Sequence, residues 1–285
     1  MWNENAVVRI FLLFINFLLA SVVWTGALFA EVPSRNTSDL SGTILITGNG
    51  PERHLVSSLA NAFEDKHFSV SVDVFWHENA KPIRTLELQE ADIGVTGYLA
   101  PHLRSTVVAR DGIAILTNFS NPVSEMALTQ IAGVFSGKIR FWSQVYEEAP
   151  EMRIKLVSRT DNQNIRQGLV DVLGITRIPR SAKVVDQERH AINVVAGDLA
   201  AITFVSMTPA LRAKEDGVAI NLVFVNQVEP EYQTVLDKTY PLQRPVVFTT
   251  RNDPTPLALA FEQFALSPEG QRIVKTNHYY PLDTN

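Results

Sequence analysis

Beyond residue 40 the apolar positions switch repeatedly between a period of two and a period near 3.6, the signatures of strand and amphipathic helix. Thr43–Thr47 reads as a buried strand. A helix follows over Pro51–Lys66, with Leu55, Leu59, Ala62 and Phe63 on one face and Pro51 in its first turn, where a missing N–H is tolerated. Val70, Val72 and Val74 alternate through Ser69–Trp76, which predicts a second strand. Pro82–Glu90 is predicted helical and Ala91–Val95 is predicted as a short strand. A second run of the same alternation begins with a strand at Gly112–Leu116. Leu128, Ile131, Ala132 and Phe135 then form a helical stripe that Gly137 ends. Arg153–Ser158 is a strand, and Ile165, Leu169 and Val172 mark the next helix face. Strands are predicted at Lys183–Val185, Ala201–Val205, Val218–Val225 and Pro245–Thr250, with helices between them. Leu257, Ala260, Phe261 and Phe264 build one more amphipathic helix.

Strands and helices that alternate this regularly imply an α/β class with largely parallel sheets. The N-terminus stands apart. Ile10–Ala30 carries no charge, Arg9 precedes it and Glu31 follows it, and small residues close it at Ala27 and Ala30. Residues 1–30 therefore read either as a cleaved signal peptide or as an N-terminal membrane anchor, and both place the remainder outside the cytoplasmic membrane. Residues 31–40 are a polar, turn-rich linker.

Charge and composition exclude several functions. The chain of 285 residues has 25 Lys and Arg against 30 Asp and Glu, without a basic block, so no nucleic-acid partner is expected. It has no cysteine, which removes disulfides and thiolate chemistry. His77-Glu78 begins like a zinc-protease sequence, but Lys81 stands where the second histidine is needed. No Gly-x-Ser-x-Gly elbow occurs, and Arg53 replaces the third glycine of a dinucleotide fingerprint at Gly48-Asn49-Gly50. The reading is of a protein that is not an enzyme and uses no cofactor and no metal.

Two loops have the physical character of anion sites. Gly48–Pro51 joins a strand to a helix, so its backbone amides and the helix N-terminus can face one ligand. Asp161, Asn162 and Gln163 open a second helix, with Arg166 one turn in. Either loop can equally be an ordinary strand-to-helix turn.

Val108–Trp142, with the segment Phe135-Ser136-Gly137-Lys138-Ile139, and two later stretches, Tyr240–Pro245 and Leu266–Val274, closely resemble the phosphate-type substrate-binding proteins of bacterial ABC importers. The resemblance runs from about Gly42 to Leu282. It implies a type II periplasmic-binding-protein fold, with two α/β lobes joined by a two-crossing hinge. Residues 41–117 and 243–285 would form the first lobe and residues 118–242 the second. It also implies a monomer that captures a small, oxyanion-like solute in the interlobe cleft, with the permease of an ABC importer as membrane partner. A binding module that has lost phosphate and serves a sensory or interaction role is the alternative.

Projected onto this chain, the ligand loops contain Gly48, Asn49, Gly50, Trp76, His77, Thr96, Gly97, Tyr98, Asp161, Asn162, Gln163 and Arg166. They lack hydroxyls that the family carries. Pro51 stands at a threonine position and Ile165 at another, and Gly97-Tyr98 replaces a serine and a charged residue. A dry phosphate site must supply a donor to every oxyanion lone pair, so weak phosphate binding is expected.

Overall fold

The computed structural model describes residues 40–160 and 164–282. Residues 1–39, with the expected signal or anchor and most of the linker, lie outside this range, as do Asp161, Asn162 and Gln163.

The first unit runs β1 (Gly42–Gly48), α1 (Arg53–Lys66), β2 (Val70–Trp76), α2 (Pro82–Glu87) and β3 (Ile93–Thr96). β1 lies between β2 and β3, parallel to both, so all three carboxyl ends share one edge. The chain then enters β4 (Arg104–Asn118) and passes to β5 (Glu125–Met126) and α3 (Leu128–Phe135). Next come β6 (Lys155–Arg159), α4 (Asn164–Leu173), β7 (Lys183–Val185), α5 (Glu188–Ala196), β8 (Ala201–Ser206) and α6 (Met207–Glu215). Short strands β9 (Ile220–Leu222) and β10 (Phe224–Val225) and helix α7 (Tyr232–Leu236) lead into β11 (Gln243–Thr250). α8 (Pro256–Leu266) and α9 (Pro268–Thr276) close the chain, capped by Thr255 and Ser267 hydroxyls.

The main sheet has the order β2-β1-β3-β11-β4-β8-β6-β7, with β9 also on β4. β4 is the joint. Its residues Arg104–Gly112 pair antiparallel with β11, whereas Ile113–Thr117 pair antiparallel with β8. β4 is three times the length expected, because Arg104, Arg110 and Asp111 interrupt the apolar run that marks its second half. The single strand expected over Val218–Val225 is two. The Val223 N–H bonds to Ile115 O, and Phe224 then leaves the main sheet to pair with Glu125.

Buried apolar side chains form two clusters. One gathers Ile44, Leu59, Phe63, Val95, Val246 and Phe261 among others. Here Phe261 meets Phe63 edge-on at 5.3 Å and stacks on Phe248 at 5.7 Å, which fastens α8 to the β1–β3 unit. The other gathers Ile115, Phe135, Trp142, Leu169 and Phe204. Trp142 is fully buried, and its Nε1 donates to Ala200 O at 3.2 Å. Gly137, at φ +79°, turns the chain out of α3 toward it.

Candidate functional site

The shared edge of β1, β2 and β3 carries the loops expected to hold a ligand. Trp76 sits directly across from Gly48 in register, and its Nε1 donates to Gly50 O at 2.8 Å. The indole covers Gly48 so closely that a Cβ there would overlap the ring. Trp76 therefore clamps the loop. His77 is exposed, and its Nδ1 accepts from the Asn79 N–H at 3.1 Å. Thr96 is buried, with its hydroxyl donating to Tyr98 O at 2.7 Å. Burial first, and then the charge of Asp171, raises the half-buried Tyr98 phenol above its ordinary value.

Across this edge stands the start of α4. The Asn164 N–H donates to Asn49 Oδ1 at 3.2 Å, and Asn164 Nδ2 donates to Val95 O at 2.9 Å. Gly97 permits the approach: a Cβ on it would lie 2.7 Å from Asn164 O and 3.0 Å from Arg244 Nη1. Arg166 lies one turn further on, half-buried, and its Nε donates to Ser158 Oγ at 3.3 Å. Gly48, Asn49, Gly50 and Gly97 thus converge with Asn164, whereas His77 remains at the rim.

The centre of this junction is filled by groups that the loop pattern did not single out. Arg244, on β11, is 1% exposed. Its Nη1 lies 2.5 Å from Glu52 Oε1, and its Nη2 donates to Asp111 Oδ2 at 2.7 Å. Arg244 and Asp111 are direct partners in the β4–β11 register, so the sheet itself sets that pair. Ser206 extends the network: its hydroxyl bonds the Asp111 carboxylate at 2.8 Å, and its N–H donates to Glu188 Oε1 at 2.7 Å. Glu52 folds back over the glycine loop, where a Cβ on Gly50 would overlap its carboxylate. Apart from the ion pair with Arg244, neither Glu52 oxygen has a hydrogen-bond donor.

Two carboxylates share one guanidinium here, all three out of water. Burial disfavours the Arg244 charge, but Glu52 and Asp111 outweigh it and hold the guanidinium above its ordinary value. Burial pushes the Asp111 carboxyl up, because Arg244 and the Ser206 hydroxyl offset only part of the desolvation and Glu52 adds repulsion. Glu188 is raised by burial in the same way, with Arg159 opposing. Arg159, itself buried, is lowered by desolvation although Glu188 and Asp186 lie nearby.

The signals were faint but present. Asp111 is a lone acid inside an apolar strand, Arg244 is a lone base in another, and Glu52 opens a helix straight after the glycine loop. Among the described residues no group of three or more His, Asp or Glu side chains can hold a metal ion.

The fold finds parallels among known proteins. A family model described as a PBP superfamily domain matches residues 33–269. The chain belongs to the PBP superfamily. The phosphate-binding protein PstS 2 of Streptococcus pneumoniae is 28% identical over 155 residues, 50% of this chain and 53% of that protein. The phosphate-binding protein PstS of Bacillus subtilis is 21% identical over 248 residues, 84% of this chain and 80% of that protein. This chain thus spans about half the length of the streptococcal relative and more of the bacillar one. Among solved structures, a phosphate ABC transporter substrate-binding protein of Clostridium perfringens with bound phosphate superposes at a TM-score of 0.72 and 25% identity, covering 85% of this chain and 100% of that one. An ABC-type phosphate transport receptor of Vibrio cholerae reaches 0.74 at 21% identity, with the same coverage. This PBP superfamily member thus has the type II periplasmic-binding-protein architecture, and the relatives it matches are binding proteins and not enzymes.

Proposed function

We propose that this protein is an extracytoplasmic binding module of the phosphate-binding type whose cleft is closed on its own carboxylate and does not retain inorganic phosphate. Its lobes, residues 41–117 with 243–285 and residues 118–242, meet through the Asn49–Asn164 contact and through Arg244. The observation that carries this reading is the enclosed Glu52–Arg244 ion pair at the N-terminus of α1. A helix N-terminus beside a guanidinium is where a fold of this kind would receive an anion, and here the chain supplies one.

Magnitude decides against phosphate as a further occupant. Two like charges about 4 Å apart repel by about 4 kcal/mol at an effective dielectric near 20. That is about three decades of affinity for each carboxylate the anion must approach. Glu52 and Asp111 both stand at the junction. The relatives and the uncharged Ile10–Ala30 run support a location outside the cytoplasmic membrane. In that setting a permanently closed module acts through its surface, in sensing or in contact with a partner.

A second reading is favoured by one observation. Glu52 is held by a single ion pair, so a lobe opening that moved Arg244 would free it. The cleft would then capture a small solute for an importer permease, and that solute would be one that tolerates Asp111.

Assay of phosphate released on denaturing freshly purified protein tests the proposal. The proposal expects far less than one equivalent. A full equivalent of tightly held phosphate would overturn it.

A further inference from the structure

A second concave site lies away from the interlobe cleft, on the half of the molecule built around Trp142. It is a groove of about 1060 Å³ running between the turn after α3, the start of β6 and the loop before β7. Arg140, Arg153, Lys155, Arg177, Arg180 and Lys183 line it, all exposed, and Asp198 is the one carboxylate among the lining residues. Asp198 is engaged by Lys155 at 2.7 Å, and this bond, more than Lys183 nearby, holds its carboxyl below the ordinary value. Arg153, Arg177, Arg180 and Lys183 form no ion pair among the described residues. The floor is apolar, from Ile154, Val157 and Ala201.

This concentration of charge runs against the chain's composition. Acidic residues outnumber basic ones, 30 to 25, yet six cations crowd one groove with a single acid. Unpaired like charges on neighbouring segments repel, and concave low-dielectric walls focus their field on whatever enters. Four of the six are arginines, whose planar fork matches phosphate oxygens two at a time. They come from three separate segments, so the charge is spread along a trough. A single orthophosphate would meet only part of it. The groove's volume is at the upper end for a small-molecule site, larger than one tetrahedral anion needs.

We propose that this groove binds a soluble polyanion carrying several linked phosphates, a ligand of the polyphosphate class, independently of the interlobe cleft. The concavity favours such a ligand over a flat bilayer, which would rest on the rim without reaching the floor. Occupancy of the groove would place a signal-bearing or storage anion on a module whose own cleft is closed.

Titration of the purified protein with inorganic tripolyphosphate tests this. Saturable binding is expected, weakened as ionic strength rises. Orthophosphate should bind at least about tenfold more weakly, and the double variant Arg177→Glu/Arg180→Glu should lose at least about tenfold in tripolyphosphate affinity. Both positions are exposed, so an unchanged melting temperature shows that the variant is folded. Absence of saturable binding would overturn the proposal, as would binding that the double variant leaves intact. Binding that changes equally in Glu52→Gln would place the anion in the cleft instead. Attachment to vesicles of anionic phospholipid that tripolyphosphate does not displace would make the groove a membrane-facing surface and reject a soluble ligand.

Discussion

Arg244 Nη1 lies 2.5 Å from Glu52 Oε1, and this enclosed pair ties the strand that returns to the first unit to the opening turn of α1. The same guanidinium holds Asp111 through Nη2, so one cation serves two buried acids. Replacing Arg244 by Met leaves both carboxylates without their partner. Urea denaturation should show a loss of about 3–5 kcal/mol, the usual cost of breaking a buried ion pair from one side. The variant Glu52→Gln/Arg244→Met/Asp111→Asn should recover a large part of that loss, since replacing all the charges leaves none uncompensated. A triple variant no more stable than Arg244→Met would contradict this account.

Asp111 gives the junction a pH dependence with a definite sign. Its folded carboxyl is raised, chiefly by desolvation, above the unfolded value near 3.8. The folded state therefore holds this proton more tightly. The contribution is complete below about pH 4 and is lost as pH rises through the folded value. Asp111→Asn cannot titrate. The unfolding free energy of wild type minus that of Asp111→Asn should fall between pH 4 and neutrality. A difference that rises over that range would reverse the assignment.

Gly97→Ala should pry at the contact between the two halves. Its Cβ would lie 2.7 Å from the backbone oxygen of Asn164, which cannot swing aside as a side-chain end can. Overpacking of this kind costs about 1–3 kcal/mol. Faster hydrogen exchange at the Asn164 N–H, which bonds Asn49, should accompany the loss. An alanine variant with wild-type stability and exchange would show that the contact is slack.

The segment Phe135–Trp142 tests the difference between a structural and a ligand role. Trp142→Phe removes the bond to Ala200 O and leaves a void, at a cost of about 2 kcal/mol. Lys138→Ala, at an exposed position, should stay within about 0.5 kcal/mol of wild type and leave the phosphate binding gained by Glu52→Gln unchanged.

Periodicity made the fold legible because its helices carry continuous apolar stripes, as in Leu55, Leu59 and Phe63, and its strands hold short apolar runs, as in Ile113–Leu116 and Val246–Phe248. It failed at β4, where charges needed for the junction sit inside a strand, and at Val223, where a three-residue strand gives way to another. The loops at Gly48–Gly50 and Gly97 were legible as places of close approach, and the structure shows what approaches: Trp76, Glu52 and Asn164. Glu52, Asp111 and Arg244 leave no local pattern, since Arg244 stands 192 positions from Glu52 and 133 from Asp111 along the chain. Only strand register and the first turn of α1 bring the three together.

Removing the Glu52 carboxylate, proposed to fill the anion position beside Arg244, tests the central claim most directly. Calorimetric titration with orthophosphate should show only weak binding to the wild-type protein, with no tight site. Glu52→Gln relieves one like-charge contact and frees Arg244 for an external anion, so phosphate affinity should improve by about a hundredfold, part of the three decades that one such contact can withhold. Tight phosphate binding by the wild type, or no gain in a folded Glu52→Gln protein, would contradict the account.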